Sequence, residues 1–296
     1  MIYVQIKGGL GNQLFQYSVG YYLKQQLGAD LCLDYSSAYI GKQLKKLKIK
    51  KDFSFREIEL ESFSIDPHEV QINTIGFFVD HIIQKVFDYK GFTGREIVPL
   101  IKENGLDCRD NNIGALKTAK KYNNVIITGY WQNINYINPF REDLIRQFKM
   151  SEDTGSEYDV YLEQIKSSAS IGVHVRRGDF VKLGWAKGAD FYKKAISAVI
   201  ERIPKAKFFF FSDDQEWVRE NLFNEENSVQ VVIHEEHQTV KEFDLLRHCK
   251  HQIISESTFG WWSAYLNEYE DKEVYIPFDC RGDIWLEGWK RINYSV

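Results

Sequence analysis

A chain of 296 residues with 44% hydrophobic side chains can bury one large core or two medium ones, which excludes a disordered or fibrous protein. Its net charge of −4, with no basic face interleaved with exposed aromatics, argues against nucleic acid as the main partner. Cys32, Cys108, Cys249 and Cys280 are widely spaced and form no C-x-x-C pair, so neither a disulfide framework nor a zinc site is expected and a reducing cytoplasm fits.

From the front of the chain, Ile2 to Ile6 alternates apolar and polar residues as a short strand does. Leu14, Phe15, Ser18, Val19, Tyr22 and Leu23 then recur at helical spacing until Gly28, a C-cap in kind and place. "ADLCLDY" reads as the next strand, so Gly8, Gly9 and Gly11 fall in the strand-to-helix turn of a βαβ unit. Bare backbone there serves either a tight turn or the close approach of a ligand. The dinucleotide fingerprint G-x-G-x-x-G competes for this turn, and Asp34 stands where its ribose-binding acid would, but Leu14 replaces the third glycine. A strand starting at residue 2 gives the expectation of no signal peptide or anchor ahead of the fold, and no run of about 18 apolar residues follows.

Residues 42–51 carry six lysines, which read as a solvated loop or as a contact with an anionic membrane surface. After a helical middle, "NNVIITGYWQN" is a buried strand ending at Tyr130, Trp131 and Gln132. The polar stretch 151–159, "SEDTGSEYD", is the expected domain boundary, giving domains 1–155 and 156–296. Beyond it come "SIGVHV" (strand), "DFYKKAISAVIERI" (helix), "KFFFFSDD" and "VQVVIHE" (strands), "TVKEFDLLRHC" (helix), "HQIIS" (strand), "FGWWSAYLNEY" (helix) and "EVYIP" (strand). That alternation predicts an α/β fold with a doubly wound parallel sheet, whose ligands gather at the C-terminal ends of the strands.

Three such ends carry chemistry. At "HVRRGDF", His174 is followed by Arg176, Arg177 and Asp179; two adjacent arginines suit a diphosphate, although an internal Arg–Asp pair tying a loop explains the same residues. At "FFFFSDD", Ser212, Asp213 and Asp214 suit a guanine edge or ribose hydroxyls, with helix N-capping as the plainer use. At "IISESTFGWW", Ser255, Ser257 and Thr258 open a helix, an anion site by geometry or an ordinary cap. Together the three describe a nucleotide diphosphate site.

"GGLGNQLFQY", "GYWQ", "HVRRGDF", "SDD" and "ISESTFGWW", in this order, resemble the bacterial α-1,2-fucosyltransferases of glycosyltransferase family 11, over nearly the whole chain. The resemblance implies a GT-B architecture, two Rossmann-like domains facing across a cleft: 1–155 on the acceptor side and 156–296 binding GDP-fucose. It implies that Arg176 holds the β-phosphate, that Arg177 supports the loop with His174 nearby, and that Ser257, Thr258 and the backbone at Phe259 complete the diphosphate cradle. Asp213 or Asp214 would address guanine or its ribose, with Ser212 also on the donor side. Gly9, Gly11 and Asn12 would reach toward the sugar, and Trp131 and Gln132 would meet the acceptor, a galactose-terminated oligosaccharide or lipid-linked glycan. The family usually has a small polar residue where Glu256 stands and Ser or Ala where Gly260 stands, so Glu256 is expected to point away from the phosphates.

The implied reaction is inverting: an acceptor hydroxyl attacks the anomeric carbon of β-linked fucose and GDP leaves, without a metal ion or other cofactor. A fixed arginine and helix amides would stabilise the leaving group. Asp179 is the first choice of general base, although pairing with an arginine would lower its basicity. The implied setting is cytoplasmic surface-glycan synthesis, with the lysines of 42–51 as a peripheral contact at the inner face of the bacterial membrane.

Overall fold

The structure is a computed structural model that describes residues 1–35, 56–65, 70–73, 100–102, 120–121, 124–151 and 155–294; the lysine-rich stretch 42–51 lies outside them. The chain divides into two compact units, Met1–Phe148 and Lys149–Val296.

In the first unit β1 (Ile2–Gln5) leads to α1 (Leu10–Leu27), followed by β2 (Leu31–Asp34), β3 (Val70–Asn73), β4 (Leu100–Lys102), β5 (Val125–Thr128) and α2 (Arg141–Gln147). The strands form a parallel sheet in the order β3-β2-β1-β5-β4. The helix starts directly after Gly9, so Gly11 and Asn12 occupy its first turn. It ends at Gly28, whose left-handed φ of 61° lets its N–H return to the Lys24 carbonyl, the C-cap anticipated above. Close packing of this helix on the sheet depends on Gly20: a Cβ there would lie 2.7 Å from Val4 and 2.8 Å from Leu31. The function that the third fingerprint glycine serves in dinucleotide folds is thus met two turns further along. Tyr17, Tyr21 and Tyr22, on the same helix, pack edge-on against Phe148, Phe140 and Tyr136.

The second unit runs α3 (Ser156–Ser167), β6 (Ala169–Val175), α4 (Gly178–Lys182), α5 (Ala189–Arg202), β7 (Ala206–Ser212), α6 (Gln215–Asn221), β8 (Ser228–Gln230), α7 (Gln238–His248), β9 (His251–Ile254), α8 (Thr258–Leu266), β10 (Val274–Pro277) and β11 (Lys290–Ile292). Its parallel sheet has the order β11-β10-β9-β6-β7-β8, the Rossmann arrangement read from its first strand outward. Period-two alternation splits the four phenylalanines of β7 between both faces: Phe208 and Phe210 join Ile171, Val173 and Phe191, while Phe209 and Phe211 join Tyr158, Leu245 and Leu246. Burying each ring stabilises the unit by about 2–3 kcal/mol before entropy is counted.

Two expectations shift. Helix α3 begins at Ser156, inside the stretch read as a polar break, because its cap comes from far away: the Glu235 carboxylate accepts from the Glu157 N–H (3.1 Å) and the Ser156 hydroxyl (3.4 Å). Strand β8 stops at Gln230, short of the "VQVVIHE" run, since its pairing with β7 ends at Phe210↔Gln230. No helix among the described residues is long and apolar enough to cross a membrane.

Candidate active site

The reversal point of the second sheet lies between β6 and β9, and the arginines and hydroxyls singled out from sequence stand at the C-terminal ends of these two strands. Arg176 is held by two carboxylates at once: Nη2 donates to Asp179 (2.6 Å) and Nη1 pairs with Asp213 (2.8 Å). Asp213 also accepts from the Arg177 backbone N–H at 2.8 Å, tying the end of β7 to the turn after β6. Arg177 Nε donates to Asp214 at 3.0 Å, and its guanidinium lies 4.1 Å from the centre of the Trp217 ring. Asp214 in turn caps α6 by accepting from the Trp217 N–H. Both plainer uses weighed for these residues, Arg–Asp pairing and N-capping, are therefore present, and they fix the planar fork of Arg176 in one place.

His174 is buried, stacked on Phe259 with ring centres 5.1 Å apart, and its Nδ1 lies 3.2 Å from the Ser255 hydroxyl. Burial first, and the neighbouring Arg176 charge second, push its imidazole down to about 3, so it is neutral at physiological pH. Gly260 makes room for that ring: a Cβ there would be 2.8 Å from His174 Nδ1. Ser257 is the N-cap residue of α8, yet its hydroxyl makes no capping bond. Glu256 points elsewhere, as expected, accepting from Arg281 N (2.9 Å) and Nε (2.6 Å) with Lys187 Nζ at 3.5 Å.

One acid escaped the sequence reading. Glu242, in the first turns of α7, is half-buried beside Asp213; burial raises its pKa above the ordinary carboxylate value, and Gln238 Nε2 donates to it at 2.9 Å. An acid just inside the helix after the third strand was the available signal, hidden because "TVKEFDLL" reads as plain amphipathic helix.

In the first unit, Asn12 and Gln132 are brought together, Gln132 Nε2 donating to Asn12 Oδ1 at 3.1 Å. Gly9 is extended and precedes α1, and Gly11 is buried within it. Trp131 is buried, edge-on to Tyr136, in a left-handed conformation with φ 56°.

Two parallel α/β units, the second in Rossmann order with paired arginines at its reversal point, have the fold of the GT-B class. The structure of the α-1,6-fucosyltransferase NodZ soaked with GDP-fucose has this fold, with a TM-score of 0.51 and 16% identity over 90% of this chain and 91% of that one. The chain belongs to Glycosyl transferase family 11, whose profile matches residues 1–280. It is 28% identical to the Escherichia coli O-antigen biosynthesis glycosyltransferase WbnK over 93% of each chain, and 27% identical to the E. coli alpha-1,2-colitosyltransferase over 91% of this chain and 89% of that one. The rat galactoside alpha-(1,2)-fucosyltransferase 2 matches at 29% over 48% of this chain and 44% of its own.

Proposed function

We propose that the protein transfers L-fucose from GDP-β-L-fucose to the 2-hydroxyl of a terminal galactoside, with inversion, in bacterial surface-glycan synthesis. The observation that carries this reading is the Arg176 fork, immobilised by Asp179 and Asp213 at the reversal point of a family 11 chain. The second unit takes the GDP-sugar and the first takes the acceptor. As the glycosidic bond breaks, negative charge grows on the β-phosphate; Arg176 and the amides at the start of α8 stabilise it, each such donor contributing on the order of 3 kcal/mol. The leaving GDP keeps the bonding electrons, and the acceptor hydroxyl loses its proton as the new bond forms. Asp179 is already bonded to Arg176, which favours a positioning role for it over that of general base.

Because the arginines supply fixed positive charge, the reaction is proposed to need neither metal nor cofactor. The colitosyltransferase relative keeps a second donor in view: another GDP-linked deoxysugar transferred with the same linkage. Transfer from GDP-fucose, GDP-colitose and GDP-mannose to a panel of β-galactosides, with products read by mass, decides among them. Transfer from GDP-fucose at the highest rate, undiminished by EDTA, is the expected result, and α-1,2 product should be the only linkage.

The lysines of 42–51 are proposed to hold the enzyme at an anionic membrane where lipid-linked acceptors lie, each contributing about 1 kcal/mol near the surface. Co-sedimentation with phosphatidylglycerol vesicles at low salt should fall when Lys45, Lys46, Lys48 and Lys50 are changed to Gln.

A further inference from the structure

The helix that follows the paired arginines is short. It spans five residues, α4 (Gly178–Lys182), and none of its side chains is buried. A single turn of this length does not hold its shape from backbone bonds alone, and no core packing fixes it. Yet it supplies two of the three side chains that hold Arg176: Asp179 accepts from Nη2 at 2.6 Å, and the Phe180 ring centre lies 5.6 Å from the guanidinium carbon. Asp213, the third, follows the end of β7. The place of the Arg176 fork therefore depends on what fastens α4.

The fastening comes through the turn behind it. Trp185 N–H donates back to the Phe180 carbonyl at 2.9 Å, and its ring meets Phe180 edge-on with centres 5.6 Å apart. The Arg281 guanidinium carbon lies 4.3 Å from the centre of the Trp185 ring. Two residues on, Lys187 Nζ pairs with Asp279 at 2.8 Å and with Glu256 at 3.5 Å. Glu256 is the hub of both attachments: it also accepts from Arg281 N at 2.9 Å and Nε at 2.6 Å, and its side chain is only 8% exposed. A carboxylate so far withdrawn from water is costly unless well paired, and here a main-chain N–H and two cations pair with it. The end of β9 and the segment after β10 thus grip residues 185–187 together. Arg281 lies just beyond the residues that the family profile matches.

We infer that Glu256 is a positioning residue for Arg176. By fixing Arg281 and Lys187 it anchors the Trp185 turn, and with it α4, which sets Asp179 and Phe180 against the fork. Its carboxylate is committed to Arg281 and Lys187 and acts on a bound diphosphate only through Arg176.

The inference rests on Arg176 contacting the diphosphate, and the test keeps the two apart. Hydrogen exchange reads the grip without any ligand. In Glu256→Gln and Arg281→Ala, the amides of Val181, Leu183 and Trp185, which bond within this turn, should exchange about tenfold faster than in the unmodified protein, with β6 and β9 unaltered. Calorimetric titration with GDP reads the coupling. Glu256→Gln should weaken GDP binding by about fivefold on its own and have no further effect in Arg176→Ala, because a group that acts only through Arg176 loses its influence with it. Trp185→Phe keeps a ring under Arg281 and should bind GDP as the unmodified protein does, whereas Trp185→Ala should match Glu256→Gln. Unchanged exchange at residues 181–185, or an equal loss of affinity with and without Arg176, would overturn the inference and leave the proposed reaction standing. GDP bound equally well by the unmodified protein and by Arg176→Ala would remove the diphosphate contact itself, and the inference with it.

Discussion

The two sheets offer the same place, a reversal point at the C-terminal ends of parallel strands, and fill it with opposite chemistry. Between β6 and β9 the groups are ionic: Arg176 and Arg177 set among Asp179, Asp213 and Asp214. Between β1 and β5 they are mainly amides, Gln13, Gln16, Asn12 and Gln132, beside the Tyr130 ring and the single ammonium of Lys7. The same backbone topology thus presents clustered ionic groups in one unit and mainly amides in the other. A diphosphate needs permanent positive charge, and the cost of gathering arginines is offset by carboxylates that hold them in register. Amides supply donors and acceptors together without net charge.

The comparison breaks most sharply at Arg176. Replacing it by Ala should lower turnover by about a hundredfold or more, and Lys should be nearly as damaging because the planar fork is lost. If Arg176 only ties the loop, both variants will melt early with Asp179→Asn matching them, so melts run beside transfer kinetics separate the two roles. At the other reversal point, Gln16→Leu leaves the Lys7 N–H and the Gly129 carbonyl without this partner and should cost about 2–4 kcal/mol, read as a fall in urea midpoint. GDP affinity should survive at temperatures where the variant remains folded.

Gly260→Ala sets a methyl against the His174 ring and should destabilise by about 1–3 kcal/mol, with weaker GDP binding as Phe259 shifts. Smallest at neutral pH, because it emerges only on acidification, is a pH slope. His174 is held neutral down to about 3, whereas in the unfolded chain it takes up a proton near 6.5. The unfolded state therefore binds more protons between these values, and stability falls as pH is lowered through that window, by up to about 1.4 kcal/mol per pH unit. His174→Gln should flatten the acid limb of melting temperature against pH by one proton; an unchanged slope would show that His174 is not the group responsible.

The alternation of strands and helices after residue 168 was legible because fully buried parallel strands appear as uninterrupted apolar runs, "FFFF" above all. Helix α3 was hidden in its polar surroundings, since its cap is a carboxylate 78 residues away. Arg176, Arg177, Asp213 and Asp214 were legible as a group, and an internal Arg–Asp pair was among the roles the sequence offered, but not that Asp213 would reach both arginines from the end of another strand. Glu242 and Tyr130 were missed or passed over because nothing local distinguishes them. Their surroundings, burial beside Asp213 for Glu242 and contact with Gly8 and Lys7 for Tyr130, are tertiary.

By itself, then, the sequence determined the class of fold, the family and the ionic strand end, because periodicity and adjacent charges are local properties that survive without coordinates. Tertiary structure decided which of two neighbouring aromatics faces solvent, which carboxylate holds which guanidinium, and where a missing Cβ leaves room. These depend on distances between residues far apart in the chain, 123 positions in the case of Gln5 and Thr128, and only the assembled sheets set them.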